Sequence, residues 1–113
     1  MFTLTTNLAF THAVSVNVPS NGGFRVETFK ATFRVLSVDE VAQFAPSSSA
    51  DTRKFLQAAI ITLDDLVDDA GVAIPYSDSL RDQVIDLPFA RLALIHTYIE
   101  AVTKTRVARN SSR

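Results

Sequence analysis

The sequence predicts an α+β fold, an N-terminal antiparallel β-hairpin followed by a compact bundle of about four helices. Two stretches of period-two alternation flank a turn-rich segment early in the chain, and helix start and stop signals occupy the rest. The two kinds of element are segregated along the chain, with no internal repeat. At 113 residues one domain is expected. Its predicted layout is an arm or short edge strand over 1–12, a single domain over 13–104 (hairpin 13–36, helices 38–104) and a flexible basic tail over 105–113.

Residues 1–12 carry no clean period, because Asn7 and His12 interrupt the apolar positions. From Ala13 to Val18, Val14, Val16 and Val18 alternate with Ser15 and Asn17, the pattern of a half-buried strand. Pro19-Ser20-Asn21-Gly22-Gly23 supplies turn chemistry, in a loop expected to exceed two residues. Phe29, Ala31, Phe33 and Val35 then alternate with Lys30, Thr32 and Arg34, giving the second strand.

Ser37 with Glu40 three residues on is a capping box, in which each residue satisfies the other's orphan backbone donor. Pro46 and the serines 47–49 end that short helix. Asp51 or a neighbouring serine caps a second helix, expected to run to about Val67 and to stop near Gly71. Ser77 opens a third helix carrying Leu80, Val84 and Ile85. Asp86 and Pro88 open a fourth, which reaches about Lys104 before a tail holding Arg106, Arg109 and Arg113.

Composition narrows the function. Eleven basic against twelve acidic residues leave a net charge of -1, so no overall field draws the chain to nucleic acid or to an acidic membrane. The absence of cysteine excludes disulfides, thiolate catalysis and cysteine-ligated zinc. No basic opening with an apolar run marks a signal peptide, and no apolar stretch approaches the roughly 20 residues of a spanning helix.

No familiar catalytic constellation occurs: there is no phosphate-binding glycine loop, nucleophile elbow or His-Glu-x-x-His pair. His96 and Glu100, four apart on one helix, could form a base with its orienting carboxylate or a plain surface pair. The cluster Asp64, Asp65, Asp68 and Asp69 suggests a hard cation, but it lacks the alternating ligands, sixth-position glycine and terminal glutamate of a calcium loop. It reads as a solvated helix face running into a turn. The expectation is a binding protein, not an enzyme, with no cofactor and no metal.

Two surfaces suggest a partner. On the second helix Phe55, Leu56, Ala59, Ile60, Leu63, Leu66 and Val67 gather on one arc, and Ile61 falls outside it. The fourth helix is apolar around most of its circumference, interrupted only by Arg91, His96, Thr97 and Glu100. A helix of that kind is central in its domain or covered by another chain. Ile61, Leu94, Ile95 and Tyr98 are the candidate partner-binding residues, with a purely internal role for the last three left open.

The run Phe55-Leu56-Gln57-Ala58-Ala59-Ile60, the acidic stretch Leu63-Asp64-Asp65-Leu66-Val67-Asp68-Asp69-Ala70-Gly71 and the link Ile74-Pro75-Tyr76-Ser77 precede a final helix with Leu87-Pro88 and Ala93 to Ala101. Upstream, Thr28 to Ser37 followed by Asp39-Glu40 forms a strand leading into a capped helix. In order and spacing, over about residues 24–102, this resembles the tail assembly chaperones of long-tailed bacteriophages, the siphoviruses. One departure is Thr62-Leu63, where many members carry a Gly-Trp pair. The resemblance implies a protein of the bacterial host cytoplasm, absent from the finished virion. It would bind the tape measure protein, keep it soluble and recruit tail tube subunits, and it could form a homo-oligomer. Members are often made also as a longer, frameshifted form. The alternative is a structural head-tail or minor tail component retained in the virion.

Overall fold

A computed structural model of the chain describes residues 1–5, 7–43 and 48–103, the side chain of Gln43 excepted. In chain order its elements are β1 (Ala9–Ser20), β2 (Gly23–Arg34), α1 (Val38–Gln43), α2 (Ser49–Ala59), β3 (Ile60–Asp64), α3 (Asp78–Ile85) and α4 (Pro88–Thr103). The expected α+β architecture is present, with a third strand added to the hairpin. Expectations for Pro46, Ser47, Lys104 and the tail over 105–113 lie outside the described residues.

β1 and β2 pair antiparallel from Ala9↔Arg34 to Ser20↔Gly23, so residues 9–12 belong to the hairpin rather than to an arm. The loop is only two residues, Asn21 and Gly22, and Gly22 takes the positive φ of 78° that a side chain would resist. The extra length expected of the turn is strand, because Pro19 sits on an edge strand where a missing donor is harmless.

Alternation sorts the two faces. Val14 and Val16 of β1 and Phe29, Ala31 and Phe33 of β2 are buried on one side. The other side is mainly polar, apart from the exposed Phe24 and Val26 near the turn, and on it Thr11 Oγ1 and Thr32 Oγ1 lie 2.8 Å apart. Every helix that contributes to the core does so on the apolar side: Leu56 and Ala59 from α2, Leu80, Val84 and Ile85 from α3, and Ala90, Leu94 and Tyr98 from α4.

The second helix is shorter than the sequence indicates. α2 ends at Ala59, Ile60 adopts extended backbone (φ -82°, ψ 125°), and the chain continues as β3 against β2. Three β-branched residues in a row, Ile60-Ile61-Thr62, weaken a helix and suit a strand. The helical reading was natural because Ile60 and Leu63, three apart, share a helix face. In the strand they share a face for another reason. Thr32 pairs with Thr62 but Phe33 pairs with Ile60, so Ile61 is the extra residue of a β-bulge and both flanking apolar side chains turn inward. Past β3, Asp65 takes a positive φ of 67°, Val67 pairs with Ala73, and Gly71 (φ 81°) sits in the turn between them rather than at a helix end.

The capping predictions translate into hydrogen bonds. Ser37 N–H donates to Glu40 Oε1 at 2.8 Å and Glu40 N–H donates to Ser37 Oγ at 3.1 Å, forming the capping box of α1. Ser48, not Asp51, caps α2 by accepting from Asp51 N–H at 3.1 Å, and Ser77 caps α3 by accepting from Leu80 N–H at 3.0 Å. Among the described residues no helix is long and apolar enough to cross a membrane.

Candidate partner-binding surface

α4 buries one stripe, Ala90, Leu94 and Tyr98, and leaves Leu92, Ile99 and Val102 exposed, and its two ends are held differently. At the N-terminal end Arg91 gathers three elements. Its Nε donates to the carbonyl of Ile85 at 2.7 Å and one terminal nitrogen reaches Asp86 Oδ1 at 3.2 Å. The other terminal nitrogen donates to Ser49 Oγ at 2.7 Å and Ser49 O at 3.1 Å. The planar guanidinium has enough fixed donors to serve all of these at once. Asp86 also accepts from Arg53 of α2 at 2.9 Å, and Asp82 of α3 accepts from Gln57 of α2 at 3.0 Å. The hydrogen bond and charge of Arg53, aided by Arg91, hold the Asp86 carboxyl below the usual carboxylate range. Asp82 is lowered likewise, chiefly by its hydrogen bonds from Gln57 and Arg81.

Toward the C-terminal end the contacts become aromatic and apolar. The Tyr98 ring lies 5.4 Å from Phe33 and 5.2 Å from Phe55, both edge-on, and 6.2 Å from Phe10. Its hydroxyl accepts from Leu36 N–H at 2.9 Å, which fixes the segment between β2 and α1. Burial pushes the Tyr98 phenol upward, against the lowering effect of that hydrogen bond.

Beside Tyr98 an apolar groove of about 360 Å³ opens to solvent. Leu36, Phe55 and Tyr98 line it, together with Val38 and Val41 of α1 and Ile95, Ile99 and Val102 of α4, with Thr52 and Thr103 at its edge. Val38, Val41, Ile99 and Val102 are all exposed.

The predicted contact residues therefore fall in different places. Leu94 is fully buried and Tyr98 is 4% exposed, so both belong to the chain's own core. Ile95 is half-buried and forms part of the groove wall. Ile61 is exposed at the β3 bulge and is not among the residues that line the groove. The sequence reading missed the α1 side, Val38 and Val41, and the outer residues Ile99 and Val102. Their signal was present as apolar residues beyond what the core needs, on a six-residue helix too short to show a period.

His12 and His96, far apart in sequence, line a second groove together with Glu100, between β1 and α4. His12 packs edge-on against Phe10 at 5.6 Å. The four aspartates do not share a helix: Asp64 ends β3, Asp65 pairs with Lys30 at 3.8 Å, and Asp68 accepts from Ala70 N–H and Val72 N–H at 2.8 and 3.0 Å. Asp68 is thus occupied in shaping its turn. No three His, Asp or Glu side chains among the described residues are grouped as metal ligands. Comparison with known families, with curated proteins and with solved structures gives no match.

Proposed function

We propose that this chain is a tail assembly chaperone of a long-tailed bacteriophage. It is a non-enzymatic protein that holds an apolar helical segment of the tape measure protein in the groove at the C-terminal end of α4. By covering such segments it keeps the tape measure protein soluble in the bacterial cytoplasm and presents it to tail tube subunits, and it leaves before the virion is complete. One observation carries this reading: an open groove whose walls are almost wholly aliphatic and aromatic, unlike the groove between β1 and α4, which His12, His96 and Glu100 also line. An apolar stripe at helical spacing is the ligand that such a groove accepts, because burial without fixed polar partners tolerates many related sequences. The ordered resemblance of residues 24–102 to the chaperone family supplies the identity of the ligand.

Co-expression with the phage's tape measure protein tests it. The chain should keep that protein soluble and co-elute with it, and Ile99→Asp or Val41→Asp should abolish both effects without unfolding the chain, since both side chains are exposed. A tape measure protein that precipitates regardless, with this chain found in purified virions, would favour a retained structural component instead.

A further inference from the structure

β1 is an edge strand of the sheet among the described residues. Leu8 O accepts from Val35 N–H at 2.9 Å, one step beyond the Ala9↔Arg34 pair. Antiparallel alternation then turns the backbone groups of even-numbered β1 residues toward β2, and those of Thr11, Ala13, Ser15 and Asn17 outward. Among the described residues no strand pairs with that side. Exposed edges are ordinarily guarded by charges or shielded. β1 has no Asp, Glu, Lys or Arg in its twelve residues, and its proline stands near the turn. The groove of about 610 Å³ runs along this edge, with Ala13, Ser15 and Asn17 on one wall and Phe89, Leu92 and Ala93 of α4 on the other. Leu92 is 56% exposed there.

The same chain carries a segment with the matching pattern. Phe2-Thr3-Leu4-Thr5 alternates apolar and threonine side chains, and residues 1–5 have no regular structure and bear no charged side chain. Phe2 and Leu4 are 87% and 86% exposed, so they are not buried among the described residues. Asn7, at a φ of 57°, breaks the extended backbone between this arm and β1.

We propose that residues 1–5 of one copy pair as an added strand along the free edge of β1 in a second copy. Phe2 and Leu4 then enter the groove against Leu92 and Phe89. Thr3 and Thr5 fall on the opposite face, continuing the polar surface on which Thr11, Thr32 and Thr62 stand in register. Neither residues 1–5 nor β1 carries an Asp, Glu, Lys or Arg side chain, so pairing the two backbones brings no like-charged side chains together. Because donor and acceptor are different surfaces, the contact is head-to-tail, and each added copy offers a new arm and a new edge. This goes beyond the tape measure role, since it uses neither α1 nor the groove beside Tyr98.

Light scattering coupled to size exclusion tests it in the full chain. The wild type should show a concentration-dependent series of dimers and larger species. F2D/L4D should weaken association more than about 100-fold by removing two buried side chains. L92D, which blocks the groove but keeps the arm, should be equally monomeric. Mixing the two variants should restore a dimer and nothing larger, because one intact arm meets one intact edge. A labelled peptide of residues 1–8 should bind the F2D/L4D protein and lose that binding when L92D is added, which checks the groove without relying on assembly. A wild type monomeric at every concentration, F2D/L4D associating like the wild type, or a mixture that stays monomeric would each overturn the proposal.

Discussion

At its N-terminal end α4 is tied down by a guanidinium that reaches α2 and the end of α3, whereas at its C-terminal end it meets α1 across an apolar groove that lies open. The first region is directional. Every bond has a fixed partner and angle, so the three helices have one way to meet. The second is held by ring packing and by the single hydrogen bond from Leu36 to Tyr98, and its outer rim makes apolar surface available. Polar bonds fix the frame where the chain meets itself, and non-directional apolar surface is left where the proposed partner would be met.

The largest expected effect removes what both regions depend on. Leu94→Ala empties a fully buried position between sheet and helices and should cost about 3 kcal/mol in urea denaturation, with the same loss of cooperativity at both ends of α4. Arg91→Ala should cost about 2 kcal/mol and act on one end only. Amide exchange at the start of α2 and the end of α3 should accelerate, while the Leu36 amide stays protected. Tyr98→Phe does the reverse: about 1 kcal/mol is lost because the buried Leu36 N–H is left without its acceptor, and exchange rises there first. Ile99→Asp should cost no more than about 1 kcal/mol, from a half-covered side chain and a carboxylate near the helix C-terminus, while eliminating the proposed tape measure binding. If it unfolded the chain, the groove would be part of the core and the contrast between the two ends would fail.

The smallest effect is on pH dependence. Asp86 and Asp82 have folded-state pKa values lowered by their hydrogen bonds and neighbouring arginines. A depressed value means that the charged form is favoured by folding, so the stabilisation is present above the unfolded carboxylate pKa and is lost as pH falls through the folded one. Acid unfolding should therefore sharpen below the normal carboxylate range in the wild type. It should flatten in an Asp82→Asn, Asp86→Asn double variant, by a modest amount because these side chains are partly solvated.

Much of the frame is local chemistry, and local chemistry is readable. Val14 and Val16 against Ser15 and Asn17, Ser37 with Glu40, and Ser77 before Leu80 each specify a backbone state through neighbours a few residues away. The candidate surface was only half legible. Leu94 and Tyr98 stand out on a helix apolar around most of its circumference, but periodicity cannot tell a covered side from one left open. Val41, Ile99 and Arg91 acquire their roles only once α1, α2 and α3 have met α4.

The sequence alone determined the hairpin, the capped helix starts and the segregation of strands from helices, because each follows from interactions within a turn or a strand pair. Tertiary structure decided what Ile60 to Asp64 became. That stretch could continue a helix or form a bulged strand with Ile60 and Leu63 buried either way. The deciding term was the unpaired backbone of β2 at Lys30 to Phe33, a partner about thirty residues upstream that exists only after the hairpin has formed.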